Sequence, residues 1–212
     1  MFNLNKDNQV SNSVIRRLPR YYRFIGELKD KGVVKISSQK LSQIMGLTAS
    51  QIRQDLNCFG GFGHQGYGYN TADLQDEIAK ILDLNNIKNI VIIGAGHLGS
   101  AIATGMRFET RGFKLIGLFD NDPAIIGNKI SQFNVMPMNE MEEFCKTNDV
   151  KAAVLCIPRS SALKVCEDLI GYGIKGIWNF SHCDLSAYKN DIVIENVHLG
   201  DSLTAFGYNL KD

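Results

Sequence analysis

The sequence predicts an α/β chain: an N-terminal winged helix-turn-helix domain, a Rossmann-type parallel-sheet nucleotide-binding domain, and one short C-terminal helix. Three observations carry this. Val91-Ile92-Ile93-Gly94-Ala95-Gly96-His97-Leu98-Gly99 is an apolar strand running into G-x-G-x-x-G. Apolar runs at 90–93, 114–119, 152–157 and 174–178 alternate with helical patterns at 97–109, 139–147 and 160–172. That alternation is the mark of parallel strands covered on both faces. Upstream, two short helix patterns flank a glycine-containing turn inside a basic segment, a helix-turn-helix layout.

Residues 1–12 are polar and are expected to be disordered. Pro19 suits the first turn of a helix whose Tyr22, Ile25 and Leu28 recur at three-residue steps, stopping near Gly32. Ser37 or Ser38 caps a second helix with Leu41, Ile44 and Met45 on one face, closed by Gly46. Thr48-Ala49-Ser50-Gln51 matches a capping box and opens a third helix with Ile52, Leu56 and Phe59 on one side. From Gly60 to Tyr69, five glycines between aromatics predict a tight β-ribbon, a wing with His64 and Gln65 at its tip. Leu74, Ile78, Ile81 and Leu82 predict a connector helix over 70–84. The expected divisions are therefore 1–84, 85–198 and 199–212, the last holding Leu203, Phe206 and Leu210 along one side of a helix.

Charge is divided unevenly. Residues 13–70 carry nine Lys/Arg against three Asp/Glu in a chain whose net charge is +1, so the basic third sits on an acidic remainder. That asymmetry points to a polyanion-binding module. Away from Ile52 and Leu56, the third helix offers Ser50, Gln51, Arg53, Gln54 and Asn57, residues that hydrogen-bond base edges or phosphates. Arg16, Arg17, Arg20 and Arg23 on the first helix suit backbone phosphates. One recognition helix reads few bases, so a dimer on a palindromic, A/T-rich double-stranded operator is expected.

In the second domain each glycine has a task. Gly94 permits the tight turn, Gly96 lets backbone approach a pyrophosphate, and Gly99 lets the helix pack close to the strand. The helix opening at His97 and Leu98 would aim its free N–H groups at the phosphates. The next strand ends in Asp120, whose carboxylate can accept from both adenine-ribose hydroxyls and repel a 2′-phosphate, favouring NAD(H). Lys129, nine residues on, is the cation that would soften that repulsion. Ile157, Pro158, Phe180 and the Gly105 region are expected to border the nicotinamide. An apolar border favours the neutral dihydronicotinamide over the cationic oxidised ring.

Five cysteines without a C-x-x-C pair suit reduced thiols in a cytoplasmic protein, with no disulfide and no metal. No apolar run is long enough for a membrane span, and the N-terminus lacks a signal-peptide core. The four histidines are scattered. Only His182 falls near strand ends, and too few residues follow the nucleotide fold to build a substrate domain. A binding protein is therefore expected rather than an enzyme. The alternatives are a small NAD-dependent oxidoreductase, or a CoA-binding domain carrying a basic interaction module. Asp120 suits two ribose hydroxyls better than the 3′-phosphate of CoA.

Several of these blocks together resemble the Rex family of redox-sensing transcriptional repressors. They are Ile15-Arg16-Arg17-Leu18-Pro19-Arg20-Tyr21-Tyr22, Thr48 to Leu56, Phe59-Gly60-Gly61-Phe62-Gly63, Gly94 to Gly99, Ile177-Trp178-Asn179-Phe180 and Glu195-Asn196-Val197-His198-Leu199. The resemblance spans residues 13–208. It implies a bacterial homodimer that exchanges its C-terminal helix, binds NADH or NAD⁺, and leaves its operator when NADH binds. It also places Asn179 near the cofactor. Gly105 stands where many relatives have a tyrosine, and His198 where some have an acid.

Overall fold

The computed structural model describes residues 10–59 and 68–210. The chain divides into two compact units between Asn85 and Asn86.

The first unit is built on α1 (Asn12–Asp30), β1 (Lys35–Ile36), α2 (Ser38–Met45), α3 (Ala49–Asn57), β2 (Tyr69–Asn70) and α4 (Thr71–Ile81). Caps set its boundaries. Ser37 accepts from the Lys40 N–H, Gly46 closes α2 in the left-handed region at φ 64°, and Thr48 accepts from the Gln51 N–H. Asn70 caps α4 through two backbone N–H groups. Helix α1 starts seven residues before Pro19, which lies inside it rather than at its first turn. The apolar stripe explains why: Val14, Leu18, Tyr21 and Ile25 are buried at helical spacing straight through the proline. With Leu41, Met45, Ile52, Leu56, Leu74 and Ile78, these residues from Leu18 onward form one core shared by all four helices. Tyr69–Asn70 pairs antiparallel with Lys35–Ile36, so the return arm of the expected wing joins a short strand between the first two helices. His64 and Gln65 lie outside the described residues.

The second unit carries a seven-stranded sheet in the order β5-β6-β4-β3-β7-β8-β9. The strands are β3 (Lys88–Ile93), β4 (Phe113–Asp120), β5 (Lys129–Ile130), β6 (Phe133–Pro137), β7 (Val150–Leu155), β8 (Gly176–Asn179) and β9 (Val193–Asn196). All pairings are parallel except β5 with β6. Helices α5 (His97–Gly105), α6 (Met141–Thr147) and α7 (Arg159–Gly171) connect strands, and α8 (Leu199–Tyr208) ends the unit. Side chains of β3 alternate between two cores. Val91 and Ile93 join Met141, Ala162 and Cys166 on one face, while Ile90 and Ile92 join Ile102, Phe108 and Leu118 on the other. From β3 the chain winds outward through β4 and β6, then returns to β3's other side at β7. That reversal opens a crevice at the carboxyl ends of β3 and β7, where ligands bind in such sheets.

Candidate functional site: a nucleotide crevice and a recognition helix

At the crevice, Gly94 turns the chain at φ 89°. A Cβ there would stand 2.4 Å from the Cys156 carbonyl oxygen, so the first glycine is demanded by the neighbouring strand as well as by the turn. Gly99 is needed for close packing, since its Cβ would stand 1.9 Å from the Gly94 oxygen. Gly96, the N-cap of α5, meets nothing within 4 Å and leaves the helix N-terminus open above the loop. His97 and Leu98 follow, both exposed.

Asp120 is buried at the end of β4. Its Oδ2 accepts from the Ala95 N–H at 2.7 Å, and its Oδ1 from the N–H groups of Asn121 and Asp122 at 2.7 and 2.9 Å. The carboxylate therefore ties the glycine loop to the next strand. A dinucleotide fits these residues: an unobstructed Gly96, a helix N-terminus for phosphate, and a carboxylate beside the loop whose Oδ2 keeps one acceptor position, for one ribose hydroxyl rather than the expected two. A cleft of about 60 Å³ is lined by Gly94, Asp120, Asn121, Met138, Ile157 and Pro158, among others. A closed cavity of that size cannot hold a dinucleotide, so most of the ligand would lie along the open strand ends.

The residues expected around the nicotinamide are not gathered in one cavity. Ile157 and Pro158 share the cleft with Asp120. Phe180 instead packs in an edge-to-face pair with Trp178, ring centroids 4.7 Å apart, in the core of the opposite face. Gly105 closes α5 with open space around it.

Two of the expected cofactor residues require correction. Asn179 is buried and spends its whole amide internally: Nδ2 donates to the Cys183 oxygen and Asn196 Oδ1, and Oδ1 accepts from the Ser181 N–H and hydroxyl. It shapes the loop after β8 rather than facing a ligand. Lys129 pairs with Asn134, three residues back along β6 from Pro137, the partner of Asp120. That places Lys129 two strands out from the carboxylate and away from the cleft lining.

In the first unit, α3 displays Ser50, Arg53, Gln54 and Asn57 to solvent while Ile52, Asp55 and Leu56 are buried. Arg53 reaches Ser38 Oγ at 3.1 Å, at the start of α2. Arg17, expected to grip phosphate, is instead paired with Asp55: Nε donates to Oδ2 at 2.7 Å and Nη2 to Oδ1 at 2.8 Å. Tyr21 and Gln51 complete the shell of that carboxylate. Burial would raise the Asp55 pKa, but hydrogen bonds from Arg17, Gln51 and Tyr21 outweigh it and hold the carboxyl below its ordinary value. Burial, then the bond to Asp55, pushes the Tyr21 phenol well up. Gln51 thus turns its side chain to Asp55 instead of closing the capping box. Arg20 donates to the Met45 carbonyl at the end of α2 and lies over Phe24, as does Arg23. Arg16 and Arg23 are exposed.

Sequence reading missed a cavity of about 340 Å³ on the other face of the sheet, lined by Ile90, Met106, Phe108, Ala152, Trp178 and Val193 among others. Its lining comes from five strands and the segment after α5, so no local pattern signals it. Among the described residues, no group of three or more His, Cys, Asp or Glu is placed to hold a metal, and no helix is long and apolar enough to cross a membrane. Burial pushes the thiols of Cys145, Cys156 and Cys166 up to about 11, 12 and 11.

A helix-turn-helix unit followed by a dinucleotide-type crevice defines a class: DNA-binding proteins that answer to a small ligand. Comparison with known proteins narrows this. A family described as the N-terminus of putative DNA-binding proteins matches residues 9–57, and a CoA binding domain family matches 85–183. The redox-sensing transcriptional repressor Rex of Caldanaerobacter subterraneus subsp. tengcongensis is 50% identical over 99% of this chain and 93% of its own length. The Rex of Clostridium perfringens is 49% identical over 98% of each. Among solved structures, RSP in complex with β-NAD⁺ and operator DNA has a TM-score of 0.89 at 50% identity, covering 96% of this chain and 94% of that one. RSP in complex with β-NADH gives 0.87 at 47% identity, over 96% and 95%. This chain belongs to the Rex family.

Proposed function

We propose that this protein is a redox-sensing transcriptional repressor that binds operator DNA as a homodimer and releases it when NADH binds. The observation that carries the reading is the pairing, in one chain, of an exposed polar face on α3 with an open glycine loop tied to Asp120. RSP, alike over nearly the whole chain, is solved with β-NAD⁺ and operator DNA together, and with β-NADH. On DNA, Ser50, Arg53, Gln54 and Asn57 face base edges, Arg16 and Arg23 face phosphates, and Arg17 and Arg20 brace the helices behind them. In the crevice, Gly94 to Gly99 hold the pyrophosphate, Asp120 the adenine ribose, and Ile157 and Pro158 the apolar walls. No residue is assigned a catalytic task. A cytoplasmic location follows from work on DNA and a cellular NADH pool.

The bound nucleotide acts as a signal, and its two redox forms differ in ring charge. A ligand shifts a two-state equilibrium only by its differential affinity for the two states. Burying the oxidised, cationic ring in apolar surroundings costs more than burying the neutral reduced ring.

Homodimer formation is supported by α8. Leu199, Leu203, Phe206 and Leu210 recur at helical spacing and are each more than half exposed in the single chain. Such a stripe asks for a partner surface, and exchange between two copies supplies it. The CoA reading is weaker. Asp120 presents a carboxylate where a 3′-phosphate would need a cation, and the well-matched RSP structures are complexes of β-NAD⁺ and β-NADH. A gel-shift titration of a palindromic operator with and without NADH tests the reading. Release by NADH but not by equal NAD⁺ is expected, and indifference to both refutes it.

A further inference from the structure

Asp55 sits in the last turn of α3 with no solvent exposure, a position where a carboxylate is costly unless every lone pair is used. All four are. Oδ1 accepts from Arg17 Nη2 at 2.8 Å and Gln51 Nε2 at 2.8 Å; Oδ2 accepts from Arg17 Nε at 2.7 Å and the Tyr21 hydroxyl at 2.9 Å. Three of the four bonds come from α1, fixing α3 to the neighbouring helix. The fourth falls on the same helix, one turn back, and lands on a side chain half-exposed beside Ser50 and Gln54.

That fourth bond has a directional consequence. An ionised carboxylate only accepts, so the Gln51 amide must turn its Nε2 toward Asp55. Its carbonyl oxygen and second N–H are then held in one orientation, on a helix that already displays Ser50, Arg53, Gln54 and Asn57. An amide with free rotation presents donor and acceptor interchangeably; a locked one does not.

We propose that Asp55 is a specificity-determining positioning residue: it locks the Gln51 amide so that α3 reads an adenine, acceptor to the base's N6 amino group and donor to N7, at one position in each half-site. This rests on the DNA-binding reading above. The Arg17 pair and Tyr21 hold the carboxylate ionised and immobile, so that the lock stands before DNA arrives. Asp55 touches no base itself. Gln54, on the exposed side of α3, lacks this bond and serves as the unlocked comparison.

The test uses the full chain and a palindromic duplex selected from a random library by the wild-type protein. Each half-site base pair is exchanged in turn, and affinity is read by fluorescence anisotropy. Gln51→Ala should erase the preference at one A·T pair, by about tenfold, within the range a bidentate base contact supplies. Asp55→Asn, which can turn its own amide either way, should erase the preference at that same pair and add nothing in the Gln51→Ala background. Tyr21→Phe, which leaves the Gln51 bond in place, should keep the preference. A uniform loss across all bases in Asp55→Asn, with the profile unchanged, marks Asp55 as purely structural and overturns the proposal. If Asp55→Asn does not fold, side-chain amide ¹⁵N relaxation on the wild-type protein decides: Gln51 as rigid as the backbone while Gln54 is mobile supports the lock, and equal mobility overturns it. If the wild-type protein selects no duplex, the DNA-binding reading itself falls and takes the proposal with it.

Discussion

Two glycines three residues apart should fail in opposite ways when given a methyl group. At Gly99 the added Cβ would stand 1.9 Å from the Gly94 carbonyl oxygen and 3.0 Å from its carbon. Both obstacles are backbone at a strand end, and that turn is itself wedged against Cys156. Relief therefore requires the strand end or the helix to move by more than 1 Å. Overpacking of this kind costs about 1–3 kcal/mol or more, against roughly 1 kcal/mol regained from alanine's helix propensity. A net loss of about 2 kcal/mol lowers the melting temperature of a domain this size by roughly 6–10 °C. Gly96→Ala meets nothing within 4 Å. It changes only an N-cap, at a cost of about 1 kcal/mol or less, but puts a methyl where a pyrophosphate must touch backbone. Calorimetric melting and NADH titration of the two variants separate the effects. Gly99→Ala should melt low, whereas Gly96→Ala should melt near wild type and bind NADH at least tenfold more weakly, about 1.4 kcal/mol. A Gly96→Ala protein with wild-type NADH affinity would refute the placement of the phosphates over this loop.

Four further outcomes are expected. Arg53→Ala should cost about 1–3 kcal/mol and relax selectivity at one half-site position if it meets a base, while Arg16→Ala should weaken all sequences and flatten the salt dependence; unchanged binding in both rejects the docking face. The Asp120 carboxylate should make NADH bind at least about a hundredfold tighter than NADPH, since a 2′-phosphate would face a like charge; equal affinities by calorimetry would remove Asp120 from the ribose. Because the folded Asp55 carboxyl lies below its unfolded value near about 3.9, its stabilisation is complete above that pH and lost as pH falls through the folded value. The first unit should therefore lose stability in acid below about pH 4, with a flatter limb in Asp55→Asn; parallel limbs in denaturant melts would deny the linkage. Deleting residues 200–212 removes the exposed stripe of α8, so sedimentation should show monomer and NADH should no longer release DNA; a truncated dimer that still responds sinks the exchange.

What the sequence made legible were features set by neighbours in the chain. The caps Ser37, Thr48 and Gly46 act within four residues, so α2 begins and ends, and α3 begins, where those residues predict; α3 stops at Asn57, short of the Phe59 that the helical spacing had included. The glycine loop and Asp120 were readable because strand, turn and helix are contiguous, and a carboxylate at a strand end is marked by position alone. What failed needed distant partners. The two-residue β1 exists only because Tyr69–Asn70 lies alongside it, and β5, β6 and β9 are likewise short segments fixed by pairing. Pro19 looked like a helix start because a proline's missing N–H is harmless there. Burial of Val14 and Leu18 upstream of it outweighs the lost bond and carries α1 back to Asn12.

The arginines show why composition reads a charge but not its use. Arg16, Arg17, Arg20 and Arg23 look equivalent in the sequence, a basic edge on one helix. The structure separates them: Arg17 belongs to Asp55, 38 residues away, while Arg20, exposed like Arg16 and Arg23, reaches back to the end of α2. One local signal did exist. Asp55 stands between Gln54 and Leu56, three residues after Ile52, on the stripe that α3 must bury. A carboxylate on an apolar stripe cannot be left unpaired, because the cost of burying it alone exceeds what most of a small domain's core returns. It therefore demands a cation from a facing helix, and α1 is the helix that offers one at the right depth, beside the buried Leu18 and Tyr21. Read that way, the acid among the bases identifies which arginine is withdrawn from the DNA. It also explains why a helix built to meet a polyanion keeps a negative charge in its last turn: buried, paired and hydrogen-bonded, Asp55 orients the surface that DNA meets without presenting its charge to it.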